Sequence, residues 1–347
     1  MKDYERDYPD FRKTPFYEHG DEVPSNRSAN PTMYDVIEAR ASRRGFLVGG
    51  LAAIATGLFG SGLTARGSLA QTTSASGLLG FTPVPLSKDD TVVVPEGYKV
   101  QILAPWGTPL TGEMPAFVPG GNSGAEQGMQ VGMHHDGMHF FPIDGSSTDG
   151  LLVMNHEYIE PRFLHAVKWA GQALDGDTVV FAADGSRDAD DVLKEMNAHG
   201  VTVARVQRGA DGQWTILADP MNRRLTGLTE MTISGPAAGS AHLVTRYAPD
   251  GTRTRGTLNN CAHGVTPWNT YMTAEENWAG YFVNADAEMP REHKRYGVSN
   301  EASRYSWEKA AGGADEYIRF NAAATGASAT DDYRNEPNTF GWMVEFN

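Results

Sequence analysis

The chain of 347 residues contains a single cysteine, Cys261, so it can form no disulfide within itself. It is also poor in positive charge: 29 Lys and Arg face 43 Asp and Glu, for a formal net charge of −14 at pH 7. The first seventy residues hold nine basic and nine acidic side chains, so the remainder carries the whole excess. Such a surface argues against nucleic acid and anionic membranes as partners. It also repels phosphate esters, unless acids gather around bound cations that invert the local field. Long hydrophobic runs are missing too. The most apolar stretch, Leu47 to Leu63, is too short and too rich in glycine to span a bilayer stably, so no membrane span is expected in the mature chain.

That stretch reads better as part of an export signal. In "ASRRGFLVGGLAAIATGLFGSGLTARGSLAQTT", Arg43 and Arg44 precede the apolar run, and the small-x-small site Ser68-Leu69-Ala70 follows it. Basic, apolar, small is the order of a secretory leader, and paired arginines are what the twin-arginine translocase reads. Residues 1–70 are therefore expected to be a twin-arginine signal peptide with a long n-region, leaving residues 71–347 as the mature chain, periplasmic or secreted. The competing reading is a buried helix with a basic cap. In an oxidising compartment a free thiol needs burial or a ligand to stay inert, which makes Cys261 the residue to explain.

The mature part reads as short strands separated by turns. Strand-like runs rich in Val, Thr, Ile and aromatics cover Thr91 to Leu103, Gly150 to Tyr158, Asp177 to Asp184, Val201 to Asp219, Ala241 to Thr252 and Asn338 to Asn347. Asp-Gly pairs at 136, 144, 184, 211 and 250 favour tight hairpin turns. One clear helix is expected in "DADDVLKEMNAHG", starting near Asp190 or Asp191 and stopped by Gly200. Trp106 to Gln127 and Asn284 to Pro337 read as long polar insertions over the surface, with one helical turn near Ser306 to Ala310. The fold class is mostly β, a β-propeller in preference to a sandwich, with a few short helices in insertions.

Four clusters carry chemistry. Cys261 opens "CAHGVTPWNTYMTAEEN", and fourteen residues later come Glu275 and Glu276. If the flanking runs pair as a hairpin, neighbouring strand residues point to opposite faces, so only one glutamate shares a face with Cys261 unless a bulge intervenes. Thiolate with carboxylate becomes a sensible set around iron or calcium; a cysteine buried as a small hydrophobe is the alternative. "VMNHEY" puts Asn155, His156 and Glu157 at a strand end, where oxygen ligands for calcium, an iron ligand, or merely a solvated end would all fit. "GMHHDGMHFFP" offers His134, His135, Asp136 and His139 as zinc or iron ligands in a turn. Arg223 and Arg224 match phosphate bidentately or form surface ion pairs.

Six ordered segments point further. The twin-arginine leader, "HHDGMHFFPIDGSSTDGLLVMNHEY", "EMNAHGVTVARV", "NRRLTGLTEMTISGPAAG", "GTLNNCAHGVTPWNTYMTAEENW" and "FGWMVEF" together resemble the PhoX family of exported, calcium-dependent alkaline phosphatases. The resemblance implies a β-propeller whose central channel holds an oxo-bridged ferric pair and Ca2+, with Fe3+ and Ca2+ as cofactors and phosphate monoesters as substrates. It implies Cys261 as an iron-bridging thiolate and Glu276, with Glu275, as metal-binding carboxylates; Asn155 and Glu157 are added from their place at a strand end. It implies a phosphate-binding arginine, not assignable to Arg223 or Arg224. Two departures stand out: His263 replaces a glycine of the usual Cys-Ala-Gly-Gly, and Ala274 stands where a cysteine is often found. Family members continue well beyond "FGWMVEF", so the chain is expected to be the N-terminal portion of the propeller, incomplete and inactive by itself. The rival readings are a non-catalytic extracytoplasmic propeller binding module and a calcium-only propeller phosphodiesterase or phytase.

Overall fold

The computed structural model describes residues 81–171 and 178–347. It divides into two compact units, Met1–Ser87 and Lys88–Asn347, and every element named below belongs to the second. The arginine pair Arg43 and Arg44, the apolar run and the Ser68-Leu69-Ala70 site lie outside the described residues. Among the described residues, no helix is long and apolar enough to cross a membrane.

Ten antiparallel strands and a few short helices are the regular elements among the described residues, which are otherwise turns and irregular chain. The largest sheet runs β1 (His135–Pro142), β2 (Asp149–His156), β3 (Gly200–Arg208) and β4 (Trp214–Ile216), with β5 (Arg223–Leu225) also on β3. β6 (Glu230–Thr232) pairs with β7 (Arg253–Arg255). β8 (Asn260–Val265), β9 (Tyr271–Glu275) and β10 (Met343–Phe346) form a third sheet in the order β10-β9-β8.

Local chemistry explains the turns. Between β1 and β2, Asp144 and Gly145 both take positive φ (51° and 74°), the requirement of the hairpin turn that Asp-Gly favours. In the β3–β4 turn Gly212 alone of the Asp211-Gly212 pair takes positive φ, 82°, and its amide donates to the Gly209 carbonyl at 2.9 Å. Asp136-Gly137, expected as a turn, lies inside β1 instead.

β3 reads "GVTVARV" because it is covered on both faces. Ala204 and Val206 pack with Met154 and Leu110 on one side, while Val201 and Val203 pack with Val153 and Tyr271 on the other. Two buried faces remove the polar alternation of a half-exposed strand. Each such side chain stabilises the fold by about 1.5–3 kcal/mol.

The expected helix is α3 (Ala189–Ala198), preceded by two single-turn helices, α1 (Gly124–Gln127) and α2 (Pro161–Leu164). Its N-cap is Asp188, whose side chain accepts from the amides of Asp190 and Asp191. It ends where Gly200 turns to φ 96°; a Cβ there would lie 2.0 Å from the Leu225 carbonyl oxygen, so the chain needs glycine at that point.

Four expectations are corrected. Thr91 to Leu103, the described part of Asp177 to Asp184, and Ala241 to Thr252 form no strand. The first leaves Val92 and Ile102 exposed, and it is the Gln101 side chain that bonds to both main-chain groups of Trp214 on edge strand β4. Strand propensity without a paired neighbour does not make a strand. Asn284 to Pro337 is no surface excursion either: Tyr305, Trp307, Tyr317 and Phe320 are buried with Trp278, Tyr281, Phe282 and Phe340 in the main core. A few large rings in an Ala- and Gly-rich segment carry that burial, and average composition conceals them. The turn expected at Ser306 to Ala310 is a short 3-10 helix, Trp307–Lys309.

Candidate metal centre

Two facing bulges build the centre. β1 pairs with β2 at His135↔His156 and resumes at Met138↔Met154, so Asp136 and Gly137 carry one residue more than the partner strand. β8 pairs with β9 at Asn260↔Glu275 and resumes at His263↔Thr273, so Cys261 and Ala262 do the same. An extra residue interrupts pairing and re-aims a side chain. The two bulges meet at Gly137, where a Cβ would lie 2.8 Å from both the Cys261 carbonyl oxygen and His263 Nδ1, and 3.0 Å from Asn155 Nδ2.

The re-aimed side chains converge. One ligand atom each from Asp136, Glu157 and Cys261 falls within 4.8 Å of the others. Glu157 follows β2, where its main-chain nitrogen donates to the His134 carbonyl at 3.0 Å. Glu276, just past β9, brings a third carboxylate to the thiol as its hydrogen-bond acceptor.

The electrostatics of this set call for a cation. Two carboxylates within 4.8 Å of each other repel by roughly 3 kcal/mol or more at an effective dielectric near 20. The Cys261 thiol is pushed up to about 12, first by its hydrogen bond to Glu276, then by burial and by the charges of Asp136 and Glu157. Glu157 is raised by burial, then by its hydrogen bond to Asp136 and the charges of Asp136 and Glu276. A polyvalent cation reverses each of these repulsions. Carboxylate oxygens suit calcium and a thiolate suits iron, so the donor set fits both ions.

The other predicted residues are placed differently. Glu275 points to the opposite face of β9, as alternation requires, and its Oε2 accepts from the amides of Gly341 at 2.8 Å and Trp342 at 3.3 Å. Burial pushes that carboxyl up to about 7. Asn155 is fully buried: Nδ2 donates to the carbonyls of Cys261 and Ala262, and Oδ1 accepts from the Tyr271 hydroxyl. Its amide braces the Cys261 bulge.

Arg224 donates to Thr202 Oγ1 and to the carbonyls of Asn197 and His199 at the end of α3, and burial brings it down to about 9. A cation capping a helix C-terminus is a structural part. Arg223 is exposed on the other side of β5.

Of the histidine cluster, Asp136 alone joins the centre. His135 bonds the Ala104 carbonyl, His134 meets the Tyr158 ring edge-on, and His139 lies beside His263. His156 is buried between Met133 and Thr202.

Sequence reading missed Arg304. Its guanidinium lies over the Tyr158 ring, 4.9 Å from the centroid, and 5.9 Å from that of Tyr281. Tyr158 adjoins Glu157 in the chain, and Tyr281 takes a hydrogen bond from Asn259. Arg304 belongs to the segment whose composition suggested a loop, and nothing in its local pattern marks it.

The chain is similar to known proteins of one family. The family model for alkaline phosphatase PhoX matches residues 79–347. Among solved structures, Pseudomonas fluorescens PhoX in complex with vanadate, a transition state analogue, is similar at 34% sequence identity and a TM-score of 0.63. The likeness covers 77% of this chain and 41% of that chain, so this chain spans less than half of its length. It is consistent with a propeller-like arrangement of the sheets. No curated protein matches the chain.

Proposed function

Because the chain belongs to the PhoX family of alkaline phosphatases, we propose that it forms the metal-binding part of an exported phosphatase that hydrolyses phosphate monoesters. The observation that carries this reading is the convergence of Asp136, Glu157 and Cys261 within 4.8 Å, with Glu276 on the thiol.

Asp136, Glu157 and Glu276 would hold Ca2+, and Cys261 would bind Fe3+ as the thiolate. When bound, such ions neutralise phosphate oxygens and lower the pKa of an oxygen nucleophile. The chain's own residues hold and orient: the bulges fix Asp136 and Cys261, and Asn155 supports the thiol's main chain. The vanadate carried by the Pseudomonas protein supports phosphoryl transfer as the reaction class. Arg43 and Arg44 support delivery by the twin-arginine translocase.

The test is metal content and turnover of the protein loaded with Ca2+ and Fe3+, using p-nitrophenyl phosphate, beside Cys261→Ser. Serine is a far poorer ligand for iron than a thiolate, so the variant should lose its iron, and with it whatever turnover the loaded protein shows. Equal iron content in the two proteins would remove Cys261 from the centre. Loaded protein that hydrolyses the ester but is indifferent to chelation would overturn the metal mechanism.

A further inference from the structure

The carboxylates of the centre come from elements far apart in the chain, and one residue, through its side chain and its main chain, links two of them. Asn259 precedes β8 in the left-handed region, at φ 56°, and has no exposed surface. Its Nδ2 donates to the main-chain oxygen of Glu157 at 3.2 Å and to the Tyr281 hydroxyl at 3.4 Å. Its Oδ1 accepts from the amide of Asn277 at 2.6 Å, and its own carbonyl accepts from the amide of Glu276 at 3.0 Å. Asn259 thus bonds to the main chains of Glu157 and Glu276 and stands two residues before Cys261.

The brace is itself anchored. The Tyr281 hydroxyl donates to His199 Nε2 at 2.7 Å, and His199 Nδ1 donates to the Glu195 carbonyl at 2.8 Å, inside α3. A chain of hydrogen bonds therefore runs from the helix in the core to the main chain beneath two acids. Asparagine suits the place for two reasons: it tolerates positive φ, and its amide donates and accepts at once.

We propose that Asn259 is the positioning residue that sets the spacing of Glu157 and Glu276 for cation binding. The inference rests on the metal-centre reading above. The mutual repulsion of the acids would otherwise spread them, and their separation governs how well a cation is held. Groups that orient ligands in this way commonly change metal affinity about 10–100-fold when removed.

The experiment measures Ca2+ affinity by calorimetry and iron content by metal analysis on the full chain, at a temperature well below each variant's melting point. Asn259→Gly keeps the backbone conformation and removes every side-chain bond; Asn259→Asp keeps Oδ1 and removes the donor. Tyr281→Phe is a milder change that detaches the brace from α3. Asn222→Ala is the control for lost stability, because Asn222 is buried and bonds Arg205, Leu110 and Leu217 instead. Both Asn259 variants should bind Ca2+ at least about tenfold more weakly, and Tyr281→Phe a few-fold more weakly. Asn222→Ala should lose melting temperature but keep its affinity. Unchanged Ca2+ affinity in Asn259→Gly would overturn the inference and leave the metal centre standing. An equal loss in Asn222→Ala would overturn it as well, by making the effect one of stability. Wild-type protein that takes up neither ion would remove the metal reading and this inference together.

Discussion

Asn155 carries the main chain of Cys261: its Nδ2 donates to the Cys261 carbonyl at 2.8 Å while the Tyr271 hydroxyl donates to its Oδ1 at 3.0 Å. Replacing it with leucine keeps the volume but takes the Asn155 donor from the Cys261 and Ala262 carbonyls, while the Tyr271 hydroxyl keeps the Gly137 carbonyl as an acceptor at 3.0 Å. Each unsatisfied group costs about 1–3 kcal/mol, so Asn155→Leu should lose about 2–4 kcal/mol in urea denaturation of the metal-free protein. A loss below about 0.5 kcal/mol would show that the bulge does not depend on this amide.

Gly137 lies where the two bulges touch. In Gly137→Ala the new methyl would meet the Cys261 carbonyl oxygen and His263 Nδ1 at 2.8 Å, so β1 and β8 must part. Overpacking of this kind costs about 1–3 kcal/mol, and metal uptake should fall with it because Asp136 and Cys261 sit on either side. Thermal melting and metal analysis of the same sample check both effects.

Glu195 is fully buried on α3, where Arg187 donates to both of its oxygens at 2.8 and 2.7 Å, and His165 and the Trp307 indole complete its contacts. Glu195→Gln leaves Arg187 as a buried cation without its counterion, a change that costs about 3–5 kcal/mol. Chemical denaturation should show a loss of that size, whereas an exposed pair such as Lys294–Glu288 should give about 0–1 kcal/mol.

Burial, helped by His134 and Arg224, holds His199 down to about 4 from an ordinary value of 6.5. With the folded pKa below the unfolded one, the unfolded chain binds more protons as pH falls. The contribution is therefore complete above about pH 6.5 and is lost by about pH 4. A shift of that size corresponds to about 3 kcal/mol. Urea titrations across this interval should show a slope that flattens in His199→Phe; an unchanged slope would mean that other groups set the acid sensitivity. Glu195, held down to about 2, adds a second loss between about pH 4.5 and 2 in the same direction.

Changing Arg43 and Arg44 together to lysine keeps the charge and removes the paired guanidinium groups. Precursor should then accumulate in the cytoplasm, measured by fractionation and blotting. Normal periplasmic yield would sink the twin-arginine assignment.

The sequence by itself determined the local choices. Asp144, Gly145 and Gly212 took the positive φ that their turns need, Asp188 and Gly200 bounded α3, and strand alternation required Glu275 and Glu276 to face opposite ways. Cys261, Glu157 and Glu276 were legible as candidate ligands, Glu157 from its place at a strand end and Cys261 and Glu276 from spacing and the family resemblance. Tertiary structure alone decided which glutamate faced the thiol, because that depends on the bulge at Cys261. It separated Asp136 from the histidines around it, turned Asn155 into a brace, and buried the rings of the 284–337 segment. The physical reason is range. Turn and cap preferences are set by a few neighbouring residues, whereas a centre drawn from Asp136, Glu157 and Cys261 exists only once β1 packs against β8, and no local pattern encodes that contact.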